Sequence, residues 1–160
     1  MSLLADHLVI LPILLPLVAG ALLIPLDERR RGLKAAVSLA ATVATLAVTV
    51  ILLRLADAPA SGVASSTVTV YQLGDWPAPF GIVLVLDRLS AMMLVLAGIL
   101  ALATLVFSLA RWQGAGSHFH SLFLFLLMGL NGTFLTGDLF NLFVFFEILL
   151  AASYGLVLHG

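Results

Sequence analysis

Glu147 is the single charge in a long apolar run, Leu139-Phe140-Asn141-Leu142-Phe143-Val144-Phe145-Phe146-Glu147-Ile148-Leu149-Leu150-Ala151-Ala152. If the run is a membrane helix starting at Leu139, the rise to the glutamate is about 12 Å, at ~1.5 Å per residue, near the midplane of a ~30 Å hydrocarbon layer. An ionised carboxylate at that depth costs on the order of 2.5–3.5 kcal/mol, so the side chain is expected to face protein or water, or to carry a proton. The chemistry it offers is proton or ion transfer across the layer. The competing reading is a permanently protonated acid that hydrogen-bonds a neighbouring helix and moves nothing.

Helical spacing puts Phe140, Phe143, Val144, Leu150, Ala151, Tyr154 and Gly155 on the face of Glu147. Ala151 and Gly155 form a small-xxx-small pair that would let another helix approach. Asn131, Thr133 and Thr136 before the run, and Asn141, Ser153 and Tyr154 within it, are either polar members of an ion path or ordinary interhelical hydrogen-bonding groups. His118 and His120 are read as interfacial histidines, since two of them without a third ligand do not make a metal site. Asp87 and Arg88 are adjacent and read as a pair or a headgroup anchor.

The elements that must position these residues are transmembrane helices. Of the 160 residues 62% are hydrophobic and 9% charged, and the mean hydropathy is +1.22; so short a chain has no aqueous fold that hides so much apolar surface. A net charge of -1 gives no reason to expect nucleic acid, and with no cysteine in the chain thiolate chemistry and Cys-ligated clusters are excluded. Phosphate-binding glycine loops, zinc-ligand spacings and nucleophile elbows are absent, so no enzyme chemistry, cofactor or metal is expected.

The fold class is therefore an all-α polytopic membrane protein, a single transmembrane domain over 1–160 with spans at about 8–26, 33–55, 89–110, 119–136 and 139–158. Pro12 and Pro16 are expected to bend the first span. Residues 119–158 would rise about 60 Å as one helix, twice the hydrocarbon thickness, so the chain must turn back. Thr136-Gly137-Asp138 is the break, with Gly137 suited to cap one helix and Asp138 to N-cap the next. Between spans two and three, the runs Thr67–Leu73 and Gly81–Leu86 flank Gly74-Asp75-Trp76-Pro77-Ala78-Pro79, which predicts a short β-hairpin outside the hydrocarbon. Trp112 is a candidate interfacial anchor.

The connections after spans one and three hold Arg29, Arg30, Arg31, Lys34 and Arg111, five of the seven basic residues; only Arg54 and Arg88 flank the hairpin side. By the positive-inside rule the N-terminus and hairpin are outside, and His159 and Gly160 end at the cytoplasmic face.

The stretch Asn131-Gly132-Thr133-Phe134-Leu135-Thr136-Gly137-Asp138-Leu139-Phe140-Asn141-Leu142-Phe143-Val144-Phe145-Phe146-Glu147, continued by Ser153-Tyr154-Gly155-Leu156, resembles the fourth and fifth helices of the D subunit of the Mrp-type multisubunit cation/proton antiporters. Tyr71-Gln72-Leu73-Gly74-Asp75-Trp76-Pro77-Ala78-Pro79-Phe80-Gly81-Ile82, followed by Asp87-Arg88-Leu89-Ser90, is similar to the region before that subunit's third helix. Its relatives include the antiporter-like membrane subunits of respiratory complex I. The resemblance implies a sodium (or other monovalent cation)/proton antiporter in a bacterial plasma membrane, with other antiporter subunits, monovalent cations, protons and the lipid bilayer as partners. It also implies that Glu147 belongs to the proton path, partnered by a lysine on a later helix. The chain corresponds to the N-terminal third of such a subunit, and its one lysine, Lys34, is read as a loop residue that cannot be that partner. A proton-pumping subunit of an NADH:quinone oxidoreductase-type complex and a non-transporting membrane scaffold are the alternatives.

Overall fold

The computed structural model describes residues 7–57, 68–75, 81–111 and 118–158. The Trp76–Pro79 turn, the Ser61–Ser66 connection, the Trp112 anchor and the His159–Gly160 terminus lie outside the described residues. Helices dominate: α1 (Leu11–Leu23), α2 (Arg31–Ala56), α3 (Arg88–Arg111), α4 (Phe119–Leu135) and α5 (Leu139–Leu158), with strands β1 (Thr69–Gln72) and β2 (Val83–Leu86) between α2 and α3. By length and composition α2, α3 and α5 are able to cross a membrane, whereas the apolar helices His7–Leu23 (α1 with a leading 3-10 turn) and α4 are shorter.

α2 begins at Arg31 and so includes Lys34, which is only 4% exposed. The reading of Lys34 as a loop residue is thereby corrected. The helix starts before its apolar run does, because burial follows the face of the helix rather than the composition of the segment. That inner face is Lys34, Ser38, Thr42, Thr45, Thr49, Leu52 and Ala56, recurring every three or four residues. Buried hydroxyls need partners, and these find them in their own helix: Thr42 donates to the Ser38 carbonyl, Thr45 to that of Ala41 and Thr49 to that of Leu46, each at 2.8 Å.

α3 opens with a reciprocal cap. The Ser90 amide donates to Asp87 Oδ1 at 2.6 Å, and the Asp87 amide donates to Ser90 Oγ at 2.9 Å. The bond from the Ser90 amide, aided by others, holds the Asp87 carboxyl below its ordinary pKa. Arg88 turns away from Asp87 and pairs with Asp57 at 2.9 Å, tying the end of α2 to the start of α3.

The hairpin forms with Thr69 opposite Leu86 and Gln72 opposite Val83. Its turn includes Gly74 at φ 65°, the left-handed conformation glycine tolerates best. Along β2 the side chains alternate, so that Leu84 and Leu86 enter the core with Val9, Ile13, Leu52, Ala56, Ala91, Leu94, Met128 and Leu135. The core is therefore concentrated at the hairpin end of the bundle, opposite the Arg29–Arg31 end.

Candidate functional site

α5 is positioned at its start by Asp138. Its Oδ1 accepts the Asn141 amide at 2.8 Å, and its Oδ2 accepts a bond from the Asn141 side chain. Burial pushes the Asp138 carboxyl up, but these bonds, with those from backbone amides, outweigh it and leave the pKa below its ordinary value. Gly137 does not cap α4 in the left-handed form expected of it. Thr136 ends α4 in an extended conformation (φ -64°, ψ 136°), and Gly74 is the one positive-φ glycine among the described residues.

The lateral position of α5 is set by glycines. A Cβ at Gly132 would overlap the ring of Phe145, and one at Gly129 would lie 3.0 Å from the Leu149 amide nitrogen. At the far end Gly155 packs on Leu122, with its Cβ position 3.0 Å from Leu122 Cδ2. Asn141, Phe145, Leu149 and Ala152 therefore turn toward the bundle.

Glu147 lies on the other side. It is exposed, together with Phe140, Phe143 (63%), Val144, Ala151 and Tyr154 (64%). No other acidic residue lies within any of the five helices, so this outward face carries the only carboxyl the bundle holds at mid-helix depth.

Four of the other polar candidates, Asn131, Thr133, Thr136 and Asn141, are engaged elsewhere. Thr133 donates to the Gly129 carbonyl at 2.9 Å, Thr136 donates to the Asp138 carbonyl at 3.1 Å, and Asn141 serves the Asp138 cap. Ser153 is half-buried and Tyr154 is exposed. Asn131 is 1% exposed, and its Nδ2 donates to the Pro12 carbonyl at 2.8 Å. That carbonyl is the one Pro16 frees, because proline has no N–H to return to the residue four before it. Pro12 itself lies in the first turn of α1, where a missing N–H is harmless.

Asn131 thus repairs a proline break in a neighbouring helix. Asn131→Leu leaves a buried carbonyl without a donor and is expected to destabilise the chain by about 1–3 kcal/mol. In a Pro16→Ala background, where the helix supplies its own N–H, the same change should cost much less. Thermal melts of the four proteins in detergent decide it, and equal losses in both backgrounds would disprove the repair.

Comparison with known proteins places this geometry. No protein-family model matches the chain. The D subunit of a probable K+/H+ antiporter of Rhizobium meliloti is 64% identical over 155 residues, covering 97% of this chain and 28% of that protein. The D subunit of a Na+/H+ antiporter of Alkalihalophilus pseudofirmus is 44% identical over 157 residues, covering 97% and 30%. A structure of the Mrp complex from Dietzia sp. superposes with a TM-score of 0.81 at 31% identity, over 96% of this chain and 27% of that one. Over nearly its whole length the chain is similar to the D subunits of Mrp-type antiporters. It spans under a third of the length of the D-subunit relatives it matches. The membrane-bound sulfane sulfur reductase, an archaeal respiratory membrane complex, shares the fold with a TM-score of 0.82 at 23% identity, over 94% of this chain and 30% of that one.

One polar node of this D-subunit homologue went unread in the sequence. At the arginine end, His120 Nδ1 and Ser38 Oγ are hydrogen-bonded at 2.9 Å, joining α4 to α2 beside buried Lys34. The available signal was the spacing of Lys34, Ser38, Thr42, Thr45 and Thr49, a polar stripe on an otherwise apolar helix.

Proposed function

We propose that this chain is a membrane-embedded part of the D subunit of a multisubunit monovalent cation/proton antiporter, and that Glu147 binds and releases a proton in its transport path. The observation that carries the reading is the exposed Glu147 face of α5. Lipid is a poor cover for a mid-helix carboxyl, because at that depth a charge costs several kcal/mol and a protonated acid loses its hydrogen bonds. The face therefore calls for protein, either further helices of a full-length subunit or a neighbouring polypeptide, supplying a polar partner for Glu147. All five helices then cross the membrane, the two shorter ones with help from local thinning, in a bacterial plasma membrane with the hairpin end outside.

The relatives at 64% and 44% identity are named for K+/H+ and Na+/H+ exchange respectively, so the cation is tested with both. Purified and reconstituted alone, the chain is expected to show no cation-driven proton flux, since the described residues leave the Glu147 face uncovered. Within its assembled complex, potassium or sodium should each be tried against a pH-sensitive dye in proteoliposomes, with exchange expected for at least one. Flux from the isolated chain would contradict the incomplete-site argument, and a complex that moves neither cation would overturn the antiporter reading.

A further inference from the structure

We infer that the β-hairpin sets the height of α5 in the bundle through Gly137, making Gly137 a positioning residue for Glu147; this rests on the proposed role of Glu147. The Gly137 amide donates to the Val83 carbonyl at 2.8 Å, and the preceding Thr136 forms an antiparallel bridge with Leu84. The α4–α5 turn thus lies on the edge of β2 as a short third strand. A Cβ at Gly137 would stand 2.6 Å from Val85 Cγ2 and 3.2 Å from both Val83 Cγ1 and the Val83 carbonyl oxygen. Since its φ lies outside the left-handed region, closeness is what this position requires of glycine.

The strand it rests on is not free to move. Leu84 and Leu86 are locked in the core, and β1 is tied to the 3-10 turn that leads into α1 by a 2.9 Å hydrogen bond between Tyr71 Oη and His7 Nδ1. On the other side of Gly137, the Asp138 cap stiffens the first turn of α5. From Leu139, two residues after Gly137, to Glu147 the rise is about 12 Å of helix, and a helix is stiff along its axis, so a displacement at the turn reaches the carboxyl almost undiminished. The glycines of α4 set how close α5 comes, while the hairpin sets how deep it stands.

Gly137→Ala must push the turn off β2 by about 1 Å to restore van der Waals contact with Val85. A misplacement of that size is expected to lower exchange about tenfold or more and to displace its pH profile, at unchanged abundance of the assembled complex. Val85→Ala removes the colliding methyl and should restore much of both. A readout independent of transport comes from the absence of native cysteine in this chain. Leu122→Cys with Gly155→Cys, in contact at the far end of α5, should form a disulfide under mild oxidant in membranes. Gly137→Ala should reduce the yield, and Val85→Ala should recover it. If Gly137→Ala alters neither cross-linking nor the pH profile, or if Val85→Ala restores neither, the clamp is wrong. If cross-linking responds while exchange does not, the clamp holds and the role given to Glu147 falls.

Discussion

At equal abundance in the membrane, Glu147→Gln is expected to abolish cation/proton exchange, by at least about a hundredfold, while insertion and assembly persist. Glutamine keeps the length, shape and hydrogen-bonding capacity of a protonated glutamate but has no proton to exchange. Glu147→Asp keeps the acid on a side chain one methylene shorter and should retain part of the activity, since the proton must cross a longer gap to the same partner. The contrast between the two variants is diagnostic. If the glutamate were permanently protonated and only joined helices together, glutamine would serve as well as the parent and aspartate would be the worse substitute. A Gln variant that exchanges at the parent rate in proteoliposomes would make Glu147 interhelical glue. The expectation draws on its place as the only acid within the five helices, on a face that the described residues leave uncovered.

Gly132→Ala is expected to destabilise the chain by about 1–3 kcal/mol through overpacking. The added methyl falls within the ring of Phe145, near its root, where rotation about the outer bond cannot clear the space. α4 and α5 would have to separate along the seam that also holds Gly129 against the Leu149 backbone. Two comparisons isolate the cause. Gly32→Ala, near the start of α2 with nothing within 4 Å of the new Cβ, should be neutral or stabilising by up to about 1 kcal/mol, the helix-propensity gain alone. Phe145→Ala should lower the cost of Gly132→Ala measured in its background, because the collision is then gone. Melting midpoints in detergent provide the measurement, and similar effects for Gly132→Ala and Gly32→Ala would refute the packing argument.

Much of the local structure was legible because it depends on local chemistry. Apolar runs dictate helices, β-branched runs around Gly74 and two prolines dictate a hairpin, and Asp138 three residues before Asn141 dictates an N-cap. Of the residues that helical spacing grouped with Glu147, Phe140, Phe143, Val144, Ala151 and Tyr154 share its exposed face, whereas Gly155 packs against Leu122. What spacing left open was whether that face looked inward or outward. The Gly132–Phe145 and Gly129–Leu149 contacts decide the question by turning the opposite side of α5 to α4. Spacing relates residues on one helix, whereas facing is a property of two.

The same division explains the remaining surprises. Asn131 reads as a polar residue in an apolar helix; that it repairs the Pro16 break depends on α1 and α4 lying side by side, which brings Asn131 to Pro12 across 119 residues of chain. Gly137 reads as a helix cap, yet its requirement for glycine comes from β2. Lys34 reads as a loop cation, yet it is buried because α2 starts early and turns that face inward. By itself the sequence determined the membrane setting, the helices and hairpin, and the one mid-helix acid, since each follows from side-chain chemistry within a few residues. Only the tertiary structure decided which polar groups meet and which face stays open, because those contacts join segments that no local spacing relates.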